Sequence, residues 1–160
     1  MSTRSTDADE PDEDFGILLT AALGVFKDRL HQHLARAGFD DLGPSFGFVF
    51  RSLADRPLSL VELAAKLGIS SQGALKIAAE MQQRGYIERQ VDKDDRRVRR
   101  LLLTSRGRAA LREARRFHAT AERDLIKSIG ARQVAGTRAV LRKLAEASEE
   151  GSWAMSARPF

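Results

Sequence analysis

Gln72 and Lys76, four residues apart, and the adjacent pair Arg96 and Arg97 are the side chains whose chemistry most narrows the reading of this sequence. A glutamine amide both donates and accepts, so it can pair bidentately with an adenine edge. A lysine ammonium serves guanine or a phosphate. Four residues make about one helical turn, which puts both on one face. Arg96 and Arg97 end the run Asp92-Lys93-Asp94-Asp95-Arg96-Arg97. At a loop tip a guanidinium suits a narrow minor groove, where the negative potential is deepest. A neighbouring acid can pair with such an arginine and fix its direction beforehand. The competing readings are bland: a solvated helix face, and a charged turn kept soluble by mixed charges.

Catalysis finds no comparable foothold. The chain has three histidines and no cysteine. It shows no Gly-rich phosphate loop and no paired acids in an apolar setting, so no nucleophile–base arrangement can be drawn. Without cysteine there are no disulfides, thiolate metal sites or thiol-based redox sensing. His31 and His33, two apart on a helix, face opposite ways and make a poor metal pair. His118 has no ligand neighbour in sequence. Neither enzymatic activity nor a metal or cofactor is expected.

The elements that must position these residues follow from periodicity. Residues 1–13 read as a disordered acidic tail. Leu19, Leu23, Phe26, Leu30 and Leu34 form one face of a long helix from Phe15 to about Ala37, closed by Gly38. A second, largely apolar helix spans about 45–54. Ser59 and Glu62 form a capping box, opening a helix with Leu60, Leu63, Ala64 and Leu67 inward. Gly68 ends it, and Ser70 or Ser71 caps the next helix, about 71–84. This pair, with its short glycine-containing turn, is a helix-turn-helix. The second helix buries Ala74, Ile77, Ala78 and Met81, leaving Gln72, Lys76, Ala79 and Gln83 outward, with Leu75 beside them. Two strand-like runs, 86–91 and 98–103, flank the Asp92–Arg97 loop and make a hairpin. After it, Thr104 caps a helix with the stripe Leu111, Ala114, His118, Ala121 and Leu125. Gly130 separates this from a last helix at about 132–148. The segment 151–160 is a loosely specified tail, with Trp153 and Phe160 as its anchors.

Charge agrees with a polyanion partner. Between Arg84 and Arg116 twelve Arg/Lys stand against five Asp/Glu, a net +7, whereas the first fifteen residues carry −5. Hydrophobic content of 42% and charged content of 31% describe a soluble globular chain. No apolar run nears the ~20 residues of a membrane span, and the N-terminus has no secretory signal. A cytoplasmic location without membrane association is expected.

From about Ser59 to Gly107 the chain resembles the MarR family of bacterial regulators. The matching pieces are LAAKLGIS, SQGALKIAAEMQQRGYIER, the wing DKDDRR and the following LLLTSRG. The resemblance implies a mainly α fold with a small β-hairpin wing, in which a winged helix-turn-helix at about 45–104 is flanked by dimerisation helices at about 14–37, 105–129 and 132–148. It implies a homodimer that binds a pseudo-palindromic operator in double-stranded DNA and represses transcription until a small, often aromatic ligand releases it. Carried over by position, Ser70, Ser71, Gln72 and Lys76 match the recognition-helix contacts, Arg97 beside Arg96 matches the minor-groove arginine, and Asp95 matches the acid that orients it. Phe46, Phe50 and His118 are candidates to line the ligand cleft. Leu75 departs from the family's usual Ser or Thr. The alternative is a winged-helix protein-interaction module without sequence-specific DNA binding.

Overall fold

The computed structural model describes residues 14–146. The expected tails at 1–13 and 151–160, and the last two residues of the final expected helix, lie outside that range. Six helices and three strands follow in the order α1 (Phe15–Arg36), α2 (Phe46–Ser52), β1 (Leu58–Ser59), α3 (Leu60–Leu67), α4 (Ser71–Gln83), β2 (Ile87–Val91), β3 (Arg99–Leu103), α5 (Ser105–Ile129) and α6 (Ala131–Glu146). The chain is thus mainly helical with one small antiparallel sheet.

Capping chemistry sets most of the boundaries. Asp14 accepts from the amides of Gly16 and Ile17 at the start of α1 (2.7 and 3.2 Å). Ser59 accepts from Glu62 N (3.2 Å) while Glu62 accepts from Ser59 N (2.7 Å), so the capping box is complete. α3 stops at Gly68, whose φ of +64° suits a residue without a Cβ. The next cap is Ser70, not Ser71: its hydroxyl oxygen accepts from Gly73 N at 3.1 Å.

The sheet order is β1-β3-β2. The two-residue β1 was not anticipated, because so short a strand has no alternation to read. It lays Leu58 against Leu101 and Ser59 against Arg100. On the other edge β2 pairs with β3 from Ile87↔Leu103 to Val91↔Arg99.

Tyr86 is fully buried at the centre of the core. Phe46 and Phe50 meet it edge-on, with ring centroids 5.9 and 5.6 Å away. Leu63, Leu67, Met81 and Leu101 close the cluster. Along α5, Ala110, Leu111, Phe117 and Ala121 are buried, whereas Leu125 at the end of the stripe is 49% exposed. Phe117 turns the contact face, since its ring packs against Phe26 of α1 (5.3 Å) and near His33 (5.6 Å).

Candidate nucleic-acid interface

Burial of one side of α4 dictates what the other side offers. Ala74, Ala78 and Met81 are inside, so Gln72, Lys76, Ala79 and Gln83 project outward and are exposed. Ser71 and Gln72 open the helix just past the Ser70 cap, and all three are exposed. Capping engages the Ser70 oxygen as an acceptor, leaving its O–H free to donate. Leu75, 42% exposed, adds an apolar spot to this surface. Lys76 has no ion pair among the described residues.

The hairpin projects from the core: Ile87 is buried at its root, while Glu88 through Val91 are exposed. Its tip is braced from within. Asp92 accepts from the amides of Asp94 and Asp95 (2.8 and 3.2 Å) and pairs with Arg100 Nε (2.5 Å). Asp92 N donates to Val98 O, and Val98 N to Asp95 O, both at 3.0 Å. Asp95 accepts from the backbone amide of Arg97 at 2.9 Å. It therefore fixes the path of the chain at Arg97, and the side-chain pairing expected of it is made instead by Asp92 with Arg100. Arg96 and Arg97 are exposed and carry no ion pair among the described residues.

Arg100, on β3 behind the tip, is two-thirds covered. Its Nη1 reaches Glu62 Oε2 at 2.5 Å while its Nε holds Asp92. The register explains this: Arg100 lies opposite Ser59, the residue to which Glu62 folds back. Glu62 is lowered from 4.5 to about 2, chiefly by the Ser59 amide and then by Arg56. Asp92 is lowered from 3.8 to about 2 by Arg100 and the amides of Asp94 and Asp95. Sequence reasoning missed this network because its charges lie 38 residues apart.

A second polar cluster ties the winged unit to the loop after α1. Tyr86 donates its hydroxyl to Asp41, and Arg106 donates to both Asp41 (3.0 Å) and Tyr86 Oη (3.1 Å). Arg84 donates to the Asp41 carbonyl.

The three residues considered for a ligand cleft fall in two places. Phe46 and Phe50 are 2% and 3% exposed, facing Tyr86 in the core. His118 is half-buried on α5, stacked on Phe26 at 5.4 Å. Burial, and next the positive charge of Arg51, hold its pKa below the usual histidine value. A shallow hollow of about 320 Å³ lies elsewhere, lined by His31, Gln32, Ala35, Phe39, Asp40 and Leu42. Among the described residues no cluster of metal-ligating side chains forms, and no helix is long and apolar enough to cross a membrane.

Residues 48–98, from α2 through the wing tip, match the profile of the MarR family. Over 52 residues the chain is 46% identical to the transcriptional repressor MprA of Escherichia coli K12, covering 32% of this chain and 30% of that protein. Among solved structures, YusO of Bacillus subtilis superposes with a TM-score of 0.63 at 22% identity, covering 88% of this chain and 99% of YusO. FabT of Streptococcus pneumoniae, solved in complex with DNA, gives 0.66 at 21% identity over 83% of this chain and 96% of FabT. These structural likenesses establish a common fold, and the family profile covers the segment from α2 through the wing tip. The chain thus has the winged-helix fold of these structures, and over residues 48–98 it is similar to the MarR family.

Proposed function

We propose that this protein is a transcriptional regulator, a repressor that binds a pseudo-palindromic DNA operator as a homodimer. The observation that carries the reading is the state of the wing tip. Asp92 and Asp95 are engaged by backbone amides and by Arg100, while Arg96 and Arg97 stand exposed with no acid partner among the described residues. Exposed cations at a projecting tip, held in place by a braced turn, suit phosphate and the minor groove. Gln72 and Lys76 then read base edges in the major groove, with Ser70 and Ser71 donating to the backbone. FabT, with the same fold, was crystallised with DNA.

The dimer has support of its own. α1 exposes Phe15, Ile17, Leu18 and Leu23, and α6 exposes Leu141 and Leu144, with no buried residue on α6. So much apolar surface on flanking helices fits a second copy, which would set two recognition helices about 34 Å apart. Release by a small ligand belongs to the same reading and rests on the family resemblance.

Selection of bound fragments from random DNA tests the proposal. Wild type should enrich a two-fold half-site, and Arg97→Ala should weaken binding to it by about ten-fold or more (roughly 1–3 kcal/mol). Recovery of no enriched site would refute sequence-specific binding and leave a protein-interaction module. Lys76→Ala should alter base preference if Lys76 reads guanine, and weaken all sites alike if it contacts phosphate.

A further inference from the structure

We propose that Arg100 is a positioning residue that clamps the wing to the first helix of the helix-turn-helix and so fixes where Arg96 and Arg97 are presented. The proposal rests on the DNA-binding reading above. It does not place Arg100 on the DNA.

Arg100 sits on the central strand of the sheet, with Ser59 across from it on one side and Gln90 on the other. A guanidinium is a planar fork able to hold two carboxylates at once. Here Nη1 takes Glu62 and Nε takes Asp92, both at 2.5 Å. Each acid has a second task. Glu62 closes the capping box of α3 through Ser59 N. Asp92 gathers the amides of Asp94 and Asp95, and Asp95 in turn holds the amide of Arg97. One continuous chain of polar contacts therefore runs from the start of α3 to the tip arginine. Side-chain burial gives the exposed stretch of β2 no such anchor, because Glu88 to Val91 bury no side chain. With Nε and Nη1 each held by an acid and the side chain two-thirds covered, Arg100 is poorly placed to meet a phosphate.

Amide hydrogen exchange in the free protein tests the clamp, with Arg100→Ala, Arg100→Lys and Asp92→Asn compared with wild type. In each variant the amides of Asp94, Asp95 and Arg97 should exchange about ten-fold faster, the equivalent of losing one charge-assisted hydrogen bond. Amides in α4 should stay protected, showing that the fold is intact. The lysine variant keeps the charge but lacks the fork, so it should not restore protection. Unchanged exchange at the tip would overturn the proposal whatever happens with DNA. On the selected operator, Arg100→Ala should weaken binding about five- to ten-fold with the salt dependence unchanged. A salt slope smaller by about one would mark a lost phosphate contact instead and also overturn it. Failure of wild type to bind any operator would sink the DNA-binding reading, and with it the wing's task, while leaving the exchange result standing.

Discussion

Replacing Gly107 by alanine should destabilise the fold by about 1–6 kcal/mol, and the figure follows from what the new methyl group would strike. Gly107 lies in the first turn of α5, pressed against the root of β2. A Cβ there would fall inside contact distance of the Tyr86 carbonyl oxygen and 3.1 Å from its carbon, with the Leu103 Cβ at 3.5 Å. The obstacle is backbone, so no rotamer change relieves it, and α5 must retreat by roughly an ångström. That retreat stretches the Thr104 contacts: its amide to Tyr86 O at 3.1 Å, and its hydroxyl to Gly85 O and Tyr86 O at 2.6 and 3.1 Å. Losing two of them costs about 1–3 kcal/mol. Residual overpacking adds about 1–3 kcal/mol, and the better helix propensity of alanine offsets at most about 1 kcal/mol. Urea unfolding at fixed protein concentration reads the difference. Gly136→Ala on α6 is the control, since nothing lies within 4 Å of its added methyl; it should stabilise by up to about 1 kcal/mol. If the two variants behaved alike, or Gly107→Ala cost under about 0.5 kcal/mol, the close-approach argument would be wrong.

Three further outcomes are expected. Tyr86→Phe removes a hydroxyl that bridges Asp41 and Arg106, and should lower stability by about 1–2 kcal/mol in the same assay. Glu62 and Asp92 are both more acidic in the folded chain than unfolded, at about 2 against ordinary values of 4.5 and 3.8. Their stabilisation is therefore full above about pH 5 and is lost as pH falls towards 2. A Glu62→Gln/Asp92→Asn double variant should show a shallower acid limb when the urea midpoint is followed against pH; an identical limb would contradict the assignment. Leu23→Glu places a charge on an α1 side chain that is 50% exposed. By sedimentation it should shift a wild-type dimer to monomer with its helical signal retained, and a wild-type chain that is monomeric at micromolar concentration would refute the dimer.

The sequence revealed the helix-turn-helix because its signals are local. Ser59 and Glu62 are three apart, Gly68 needs a positive φ, and the Ala74–Ala78–Met81 face repeats with the helical turn. The Leu-Thr-x-x-Gly piece was legible as a motif, and the structure supplies its physical content: Thr104 caps α5 by accepting from Gly107 N (3.1 Å), and Gly107 leaves room for the Tyr86 carbonyl. What escaped notice is non-local. Arg100 and Glu62 meet only because the two-residue β1 pairs with β3, and neither charge repeats at any interval. Phe117 was passed over on α5 because two neighbouring faces of that helix are apolar enough to compete, and only the ring of Phe26 decides between them. Asp95 was assigned to the Arg97 side chain, whereas at a tight tip the nearest donor is a backbone amide.

Tyr86 and Gly107 press together so closely that the first residue of the wing's stem and the first turn of α5 must travel as one body. α5 has 25 residues, which makes it a shaft about 37 Å long. A swing of about 5° around its far end would carry the wing root through about 3 Å, close to the rise of one base pair (about 3.4 Å). On the proposed DNA-binding reading, such a tilt would shift the wing by about one step along a duplex, and the close approach at Gly107 is what would transmit it.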